Sequence, residues 1–297
     1  MKKTTLFKQY LHAKEILMIP VAHDPLCAKV IERAGFKVVG CAGYASSAAM
    51  IGAPDVELLT LTEMVDAAWR MADAVDLPMW VDGDDGHGNT TNVRRTVREL
   101  EKAGAASLML EDQVSPKRCG HLSGKRVVPR DELVAKIKAA VDARKDGDLT
   151  ILARTDAIAV HGLSEAVDRA CMCLEVGADW VFLEAPENVE QMRQIPSLVS
   201  APTLANMIPG GKTPILSAAE LQSMGFAAVA WPNAFSYAFA KTATELAAGL
   251  LRTGSTAPFE DRMIEFDAFN ALVGLPEIRE SESRYYSRIE EPQKEAP

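Results

Sequence analysis

Three carboxylates crowd the end of one apolar run. In the segment PMWVDGDDGHGN, Asp82, Asp84 and Asp85 directly follow β-rich residues, and Gly86 and Gly88 come after them. Carboxylates placed that close repel one another unless a cation lies between them. Hard oxygen ligands without a neighbouring Cys or His pair favour Mg2+, with Mn2+ as a substitute, over Zn2+. The next three apolar runs also end in acidic groups: Glu111 with Asp112, then Asp156, then Glu184. Donors and cations converge with them, namely Arg154 in ARTDA, Asn206 in ANMIPGGKTP, and Lys117, Arg118, His121 and Lys125 from one polar segment. An arginine fork fits a carboxylate, and glycine backbone at Gly210 and Gly211 admits a ligand closely. A small dianion or trianion is the expected partner.

That polar segment, EDQVSPKRCGHLSGKRVV, runs 18 residues from Glu111 to Val128, well beyond an ordinary strand-to-helix loop. Long loops there are commonly lids. Cys119 sits inside it, flanked by Lys117, Arg118 and His121, and positive neighbours lower a thiol's pKa toward the range where it exchanges a proton near neutrality. An acid–base thiol on a lid is the expected role. No G-x-S-x-G elbow, G-x-x-x-x-G-K-[ST] loop or G-x-G-x-x-G turn competes with this chemistry.

The elements that must position these groups are short β-rich runs alternating with amphipathic stretches. Eight candidate strands are read: 16–21, 37–41, 78–82, 107–110, 150–153, 180–183, 202–206 and 227–231, with helices over 62–74, 91–103, 130–144, 164–176 and 218–224. Eight βα units in 297 residues predict a (β/α)8 TIM barrel, whose sites lie at the C-terminal ends of the strands. No Pro/Gly/Ser-rich linker divides the chain, so residues 1–255 are read as the catalytic barrel and 256–297 as a helical extension, rich in Phe and Tyr, at a subunit contact. The net charge of −9 argues against nucleic acid and anionic lipid. Without a long apolar run or a signal-peptide pattern the expectation is a cytoplasmic protein off the membrane. Five scattered cysteines argue against a disulfide framework.

At this point the residues resemble the isocitrate lyase and phosphoenolpyruvate mutase superfamily. The motifs are GYASSAAMIGAPD, VDGDDGHGN, LEDQVSPKRCGHLSGK, ARTDA, LEAPEN and NMIPGGKTP, over about residues 5–285. The KRCGH segment is similar to that of the lyases, and the remaining motifs resemble the branch of 2,3-dimethylmalate lyase, petal death protein and oxaloacetate hydrolases, with 2-methylisocitrate lyase next. The resemblance implies a barrel that swaps its last helix with a neighbouring subunit in a homotetramer. It implies Mg2+ held by Asp84 and, directly or through water, by Asp82, Asp55 and Glu111, with Cys119 as the acid–base group. Gly43 and Tyr44 fall where the family holds the 2-oxo-acid half, and Arg154, His121, Gly120, Glu184 and Asn206 where it holds or orients substrate.

Three positions depart from the family pattern. Ala42 stands where a hydroxyl is common, Asp85 replaces a Thr and adds negative charge near the metal, and Pro232 replaces the Ser of the oxaloacetate hydrolases in the substrate pocket. The expected activity is carbon–carbon cleavage of a 2-hydroxy dicarboxylate, a 2-alkylmalate, to a 2-oxo acid and a carboxylic acid. Hydrolysis of oxaloacetate is the alternative within enzymes, and a catalytically silent ligand-binding barrel the alternative outside them.

Overall fold

Each of the eight expected apolar runs is a strand. They are β1 (Leu17–Ala22), β2 (Val39–Cys41), β3 (Met79–Asp82), β4 (Ala105–Glu111), β5 (Thr150–Thr155), β6 (Trp180–Leu183), β7 (Leu204–Asn206) and β8 (Ala228–Trp231). The computed structural model describes residues 1–118, 120 and 124–286. Neighbouring strands pair in parallel in the order β6-β5-β4-β3-β2-β1-β8-β7. An isolated parallel bridge between Val181 and Thr203 brings β6 to β7, so the sheet returns on itself as a (β/α)8 barrel.

The helices in chain order are α1 (Lys3–Leu11), α2 (Pro25–Arg33), α3 (Gly43–Ile51), α4 (Leu61–Ala74), α5 (Thr90–Lys102), α6 (Arg130–Ala143), α7 (Ile158–His161), α8 (Leu163–Glu175), α9 (Val189–Leu198), α10 (Ala218–Met224) and α11 (Ala234–Thr253). Their starts are written locally. Capping boxes begin α4 at Thr60 with Glu63, α5 at Asn89 with Asn92, and α10 at Ser217 with Glu220. Helix α5 buries Val93, Val97 and Leu100, spaced to lie on one face. That face fixes the turn from β3 into α5, where the three aspartates lie.

Alternation along the strands divides the core in two. Leu17, Ile19, Trp80, Met109, Leu152, Phe182, Leu204 and Ala230 fill the barrel, while Val81, Leu108, Leu110, Ile151, Ala153, Val181 and Ala205 face the helices. Phe7 and Leu11 of α1 belong to the inner group, and the Phe7 ring lies 5.8 Å from that of Trp180. Helix α1 thus closes the floor. Two residues beyond each inner position comes the next inward one: Asp82 after Trp80, Glu111 after Met109, Arg154 after Leu152, Glu184 after Phe182, Asn206 after Leu204 and Pro232 after Ala230. A single parity therefore aims six of the expected site residues into the barrel mouth.

The chain divides into two compact units, Met1–Phe239 and Ala240–Pro297. The second holds the rest of α11, a 3-10 turn (Ala257–Arg262), α12 (Phe266–Leu272) and α13 (Leu275–Tyr286). Its helical residues bury only Gly249, where a Cβ would stand 2.1 Å from the Phe259 ring. No described helix is long and apolar enough to cross a membrane.

Gly83, between two of the aspartates, donates to the Met109 carbonyl at 2.9 Å, and a Cβ there would meet the same oxygen at 2.7 Å. Gly83→Ala is expected to destabilise the barrel by about 1–3 kcal/mol through overpacking against backbone, read as a lower urea midpoint. An unchanged midpoint would refute this close approach of β3 to β4.

Candidate active site

The mouth of the barrel encloses a cavity of about 40 Å³ lined by Ala42, Tyr44, Asp55, Asp82, Gly120, Arg154, Glu184, Asn206 and Pro232, among others. Eight of the residues expected from the sequence therefore share one cavity. Asp84, Glu111 and Gly43 adjoin it, whereas Cys119 and His121 lie outside the described residues.

Asp82 is fixed by backbone donors: Gly43 N reaches Oδ2 at 3.0 Å and Asp84 N reaches Oδ1 at 3.0 Å. Asp84 adopts a left-handed conformation, φ 50°, and its carbonyl accepts from Glu111 N at 2.9 Å, tying the end of β4 to the turn after β3. Such a conformation persists where its surroundings over-determine it. Lys117 reaches into this group, its Nζ 2.5 Å from Asp84 Oδ1 and 3.1 Å from Asp55 Oδ1. A Cβ on Gly43 would lie 3.2 Å from that ammonium and 3.3 Å from both Asp55 Oδ1 and Asp82 Oδ2. Burial works against the charge on Lys117, but the carboxylates of Asp84, Asp82, Asp55 and Glu111 hold its pKa well above the usual lysine range.

Glu111 shows the reverse. Burial pushes its carboxyl pKa well above the ordinary value against the pull of Arg154 and Lys117. Its two oxygens and Asp84 Oδ1 accept no well-aligned hydrogen bond, although Arg154 Nη1 stands 3.1 Å from Glu111 Oε2. Among the described residues no three acidic, His or Cys side chains stand together as a ready metal cage. The donor set nevertheless fits a divalent cation. Four carboxylates face one ammonium, and seven carboxylates (Asp82, Asp84, Asp85, Glu111, Asp112, Asp156, Glu184) are buried against five cations (Lys117, Lys125, Lys136, Arg154, Arg169) among the described residues. With all seven ionised the excess would equal the charge of one divalent ion, and a buried charge calls for a partner.

Not every acidic group at the strand ends serves the cavity. Asp85 meets Lys136 of α6, whose Nζ lies 3.4 Å from its Oδ2 and 3.1 Å from its carbonyl, so the extra negative charge expected beside the metal has its own counter-ion. Asp112 accepts from Thr155 Oγ1 at 2.6 Å and Arg169 Nη1 at 3.1 Å. Asp156 takes Lys125 and Arg154. Lys117 and Lys125, read from the sequence among the cations converging on the site, are both engaged by carboxylates. Arg154 stacks 5.4 Å from the Phe182 ring and reaches Glu184 Oε2 at 3.1 Å. Asn206 Nδ2 contacts the same oxygen at 3.4 Å, leaving its Oδ1 unpaired.

Two positioning residues escaped the sequence reading. Glu57, itself at φ 64°, accepts from Lys117 N at 2.6 Å and Ser115 Oγ at 2.8 Å, anchoring the first limb of the long segment. Tyr237 hydroxyl lies 3.0 Å from that of Tyr44. Neither carries a sequence motif; both are found by where the chain returns in space.

A parallel barrel with carboxylates, an arginine and a long polar segment at one mouth defines the class of small-anion enzymes built on strand ends. The phosphoenolpyruvate phosphomutase family matches residues 7–251. The chain is 45% identical over 285 residues to 2,3-dimethylmalate lyase of Eubacterium barkeri, covering 96% of this chain and 99% of that one. A solved 2,3-dimethylmalate lyase, described as a PEP mutase/isocitrate lyase superfamily member, superposes with TM-score 0.89 at 33% identity over 96% of both chains. An oxaloacetate acetylhydrolase bound to 3,3-difluorooxalacetate superposes with TM-score 0.91 at 30% identity over 96% of this chain and 97% of that one. The chain belongs to the PEP mutase/isocitrate lyase superfamily and is an enzyme of the carbon–carbon lyase kind.

Burial pushes the Cys41 and Cys173 thiols up to about 12 and Cys27 up to about 11. Since the thiolate is the reactive form, iodoacetamide at pH 7.5 is expected to spare these three in the native protein and to label Cys119 first. Peptide mass spectrometry over a time course reads this, and labelling of Cys119 no faster than Cys171 would count against an activated thiol.

Proposed function

We propose that this enzyme cleaves a 2-hydroxy dicarboxylate of the 2-alkylmalate type, such as 2,3-dimethylmalate or 2-methylisocitrate, to pyruvate or another 2-oxo acid and a carboxylic acid. One observation carries the reading: the strand parity that fills the barrel also delivers Asp82, Arg154, Glu184 and Asn206 to one cavity, with Glu111 adjoining it beside Arg154. The name of the 45%-identical relative supports the substrate class.

Asp84, with Asp82, Asp55 and Glu111, would hold Mg2+, for which Mn2+ can substitute. When bound, the ion would supply Lewis-acid stabilisation of the substrate's 2-oxygen, whose proton passes to solvent water. Gly43 and Tyr44 receive the 2-oxo-acid half, and Gly120, against Arg154 and Glu184, helps hold the substrate. As the C2–C3 bond breaks, its electron pair passes to the departing fragment and spreads onto that fragment's own carboxylate. Arg154, His121 and Asn206 stabilise this developing enediolate dianion, and Glu184 orients Arg154 and Asn206. Cys119 then gives its proton to the carbanionic carbon.

Oxaloacetate hydrolysis is the second reading, favoured by the structural likeness to an oxaloacetate acetylhydrolase. It needs a water activated in the same cavity, and Pro232 lines that cavity without a hydroxyl to hold one. For the assembly we propose a homotetramer in the cytoplasm, in which a neighbouring subunit covers the exposed Phe266, Phe269, Tyr285 and Tyr286.

Assayed with Mg2+, racemic 2,3-dimethylmalate or 2-methylisocitrate is expected to release a 2-oxo acid, with activity lost in EDTA and restored by Mg2+ or Mn2+. Faster formation of oxalate from oxaloacetate would establish the hydrolase instead, and pyruvate binding without any turnover a silent barrel. Cys119→Ser is expected to retain substrate binding and lose about 10²- to 10⁴-fold in kcat, the usual range for a general acid. Wild-type turnover in that variant would remove Cys119 from the mechanism.

A further inference from the structure

Lys125 belongs to the polar segment after β4, yet its side chain is only 1% exposed. Its Nζ donates to the Gly120 carbonyl at 2.5 Å and to Asp156 Oδ1 at 2.7 Å. Asp156, with a side chain fully out of solvent, receives Arg154 on both oxygens, Nε on Oδ2 at 2.9 Å and Nη2 on Oδ1 at 3.2 Å. Asp156 is itself held at its backbone, where its N–H donates to Asp112 Oδ1 at 2.8 Å.

Gly120 closes the arrangement from the other side. A Cβ there would stand 2.5 Å from Arg154 Nη2 and 2.6 Å from Glu184 Oε2, so the bare backbone lies directly on the guanidinium. One ammonium therefore joins a residue of the long segment, a carboxylate after β5 and, through that carboxylate, the arginine at the end of β5. Without Lys125, Asp156 would keep a single cationic partner, and an under-compensated buried carboxylate grips its remaining cation harder. Arg154 would turn toward Asp156 and away from Glu111, Glu184 and the cavity.

We propose that Lys125 is a positioning residue: it seats Gly120 and Asp156 together and so sets the direction in which Arg154 presents its guanidinium to a substrate carboxylate. The proposal rests on the reading of Arg154 as a substrate-binding group given above. It assigns Lys125 no contact with the substrate.

The test uses the full chain in three forms, wild type, Lys125→Met and the charge-balanced Lys125→Met/Asp156→Asn, with calorimetric titration of oxalate in MgCl2. Misplacing the guanidinium by about 1 Å is expected to weaken oxalate about 10- to 100-fold in Lys125→Met. The double variant, in which residue 156 no longer pulls on Arg154, is expected to bind between the two. Trypsin provides a second readout independent of the catalytic reading, since release of Gly120 should speed cleavage after Arg118 several-fold in both variants. Should Lys125→Met fail to fold, Lys125→Gln keeps one donor and is expected to show the same losses on a smaller scale. Binding by a folded single variant within about twofold of wild type, or a double variant no better than the single, overturns the positioning role. Failure of the wild type to bind oxalate instead overturns the reading of the cavity, and with it the role given to Arg154.

Discussion

Negative charge held out of water is the constraint on which the mouth of this barrel depends. Seven carboxylates are buried among the described residues, and each must find a cation, a backbone N–H or a raised pKa. The structure uses all three answers. Asp82 is met by amides of Gly43 and Asp84, Asp85 and Asp156 by buried lysines, and Glu111 by an upward shift of its pKa. Where Lys117 stands, four carboxylates share one positive charge. The same imbalance that would destabilise a purely structural network is what suits this one to a divalent ion.

Holding such charges together is not a route to stability as such. Buried ion pairs rarely outdo well-packed apolar side chains, because desolvation consumes most of the Coulombic gain. The barrel beneath supplies the rigidity. Its inner layer of Trp80, Met109, Leu152, Trp180 and Phe182, floored by Phe7 and Leu11, fixes the strand ends to which the charged groups are attached. Rigid strands aim the side chains, and side chains on loops need separate anchors, as Glu57 provides for Lys117.

Much of this was legible in the sequence, for definable reasons. Short β-rich runs alternating with amphipathic stretches are local signals, and all eight strands appear where those signals lie. The carboxylates at strand ends could be found because a barrel sends its strand ends to one face, so position along a strand predicts position in space. Partner choice could not be found that way. That Lys136 answers Asp85, that Arg169 answers Asp112 and that Lys125 answers Asp156 depends on contacts between residues 51, 57 and 31 positions apart, which no spacing rule encodes. A cationic residue on a polar segment reads as available for substrate until its neighbours in three dimensions are known. Glu57 illustrates the same gap, since a lone acidic residue with φ 64° has no pattern around it.

The bridge between β6 and β7 bears on how this scaffold accommodates different molecules. Every other neighbouring pair shares two or more paired residues, but here one isolated pairing at Val181 and Thr203 carries the closure. Glu184, just past the end of β6, and Asn206, the last residue of β7, touch at 3.4 Å across this thin seam. Their separation is governed more by what packs between them than by main-chain pairing, which makes this side of the wall the least costly place to widen the chamber for a bulkier guest.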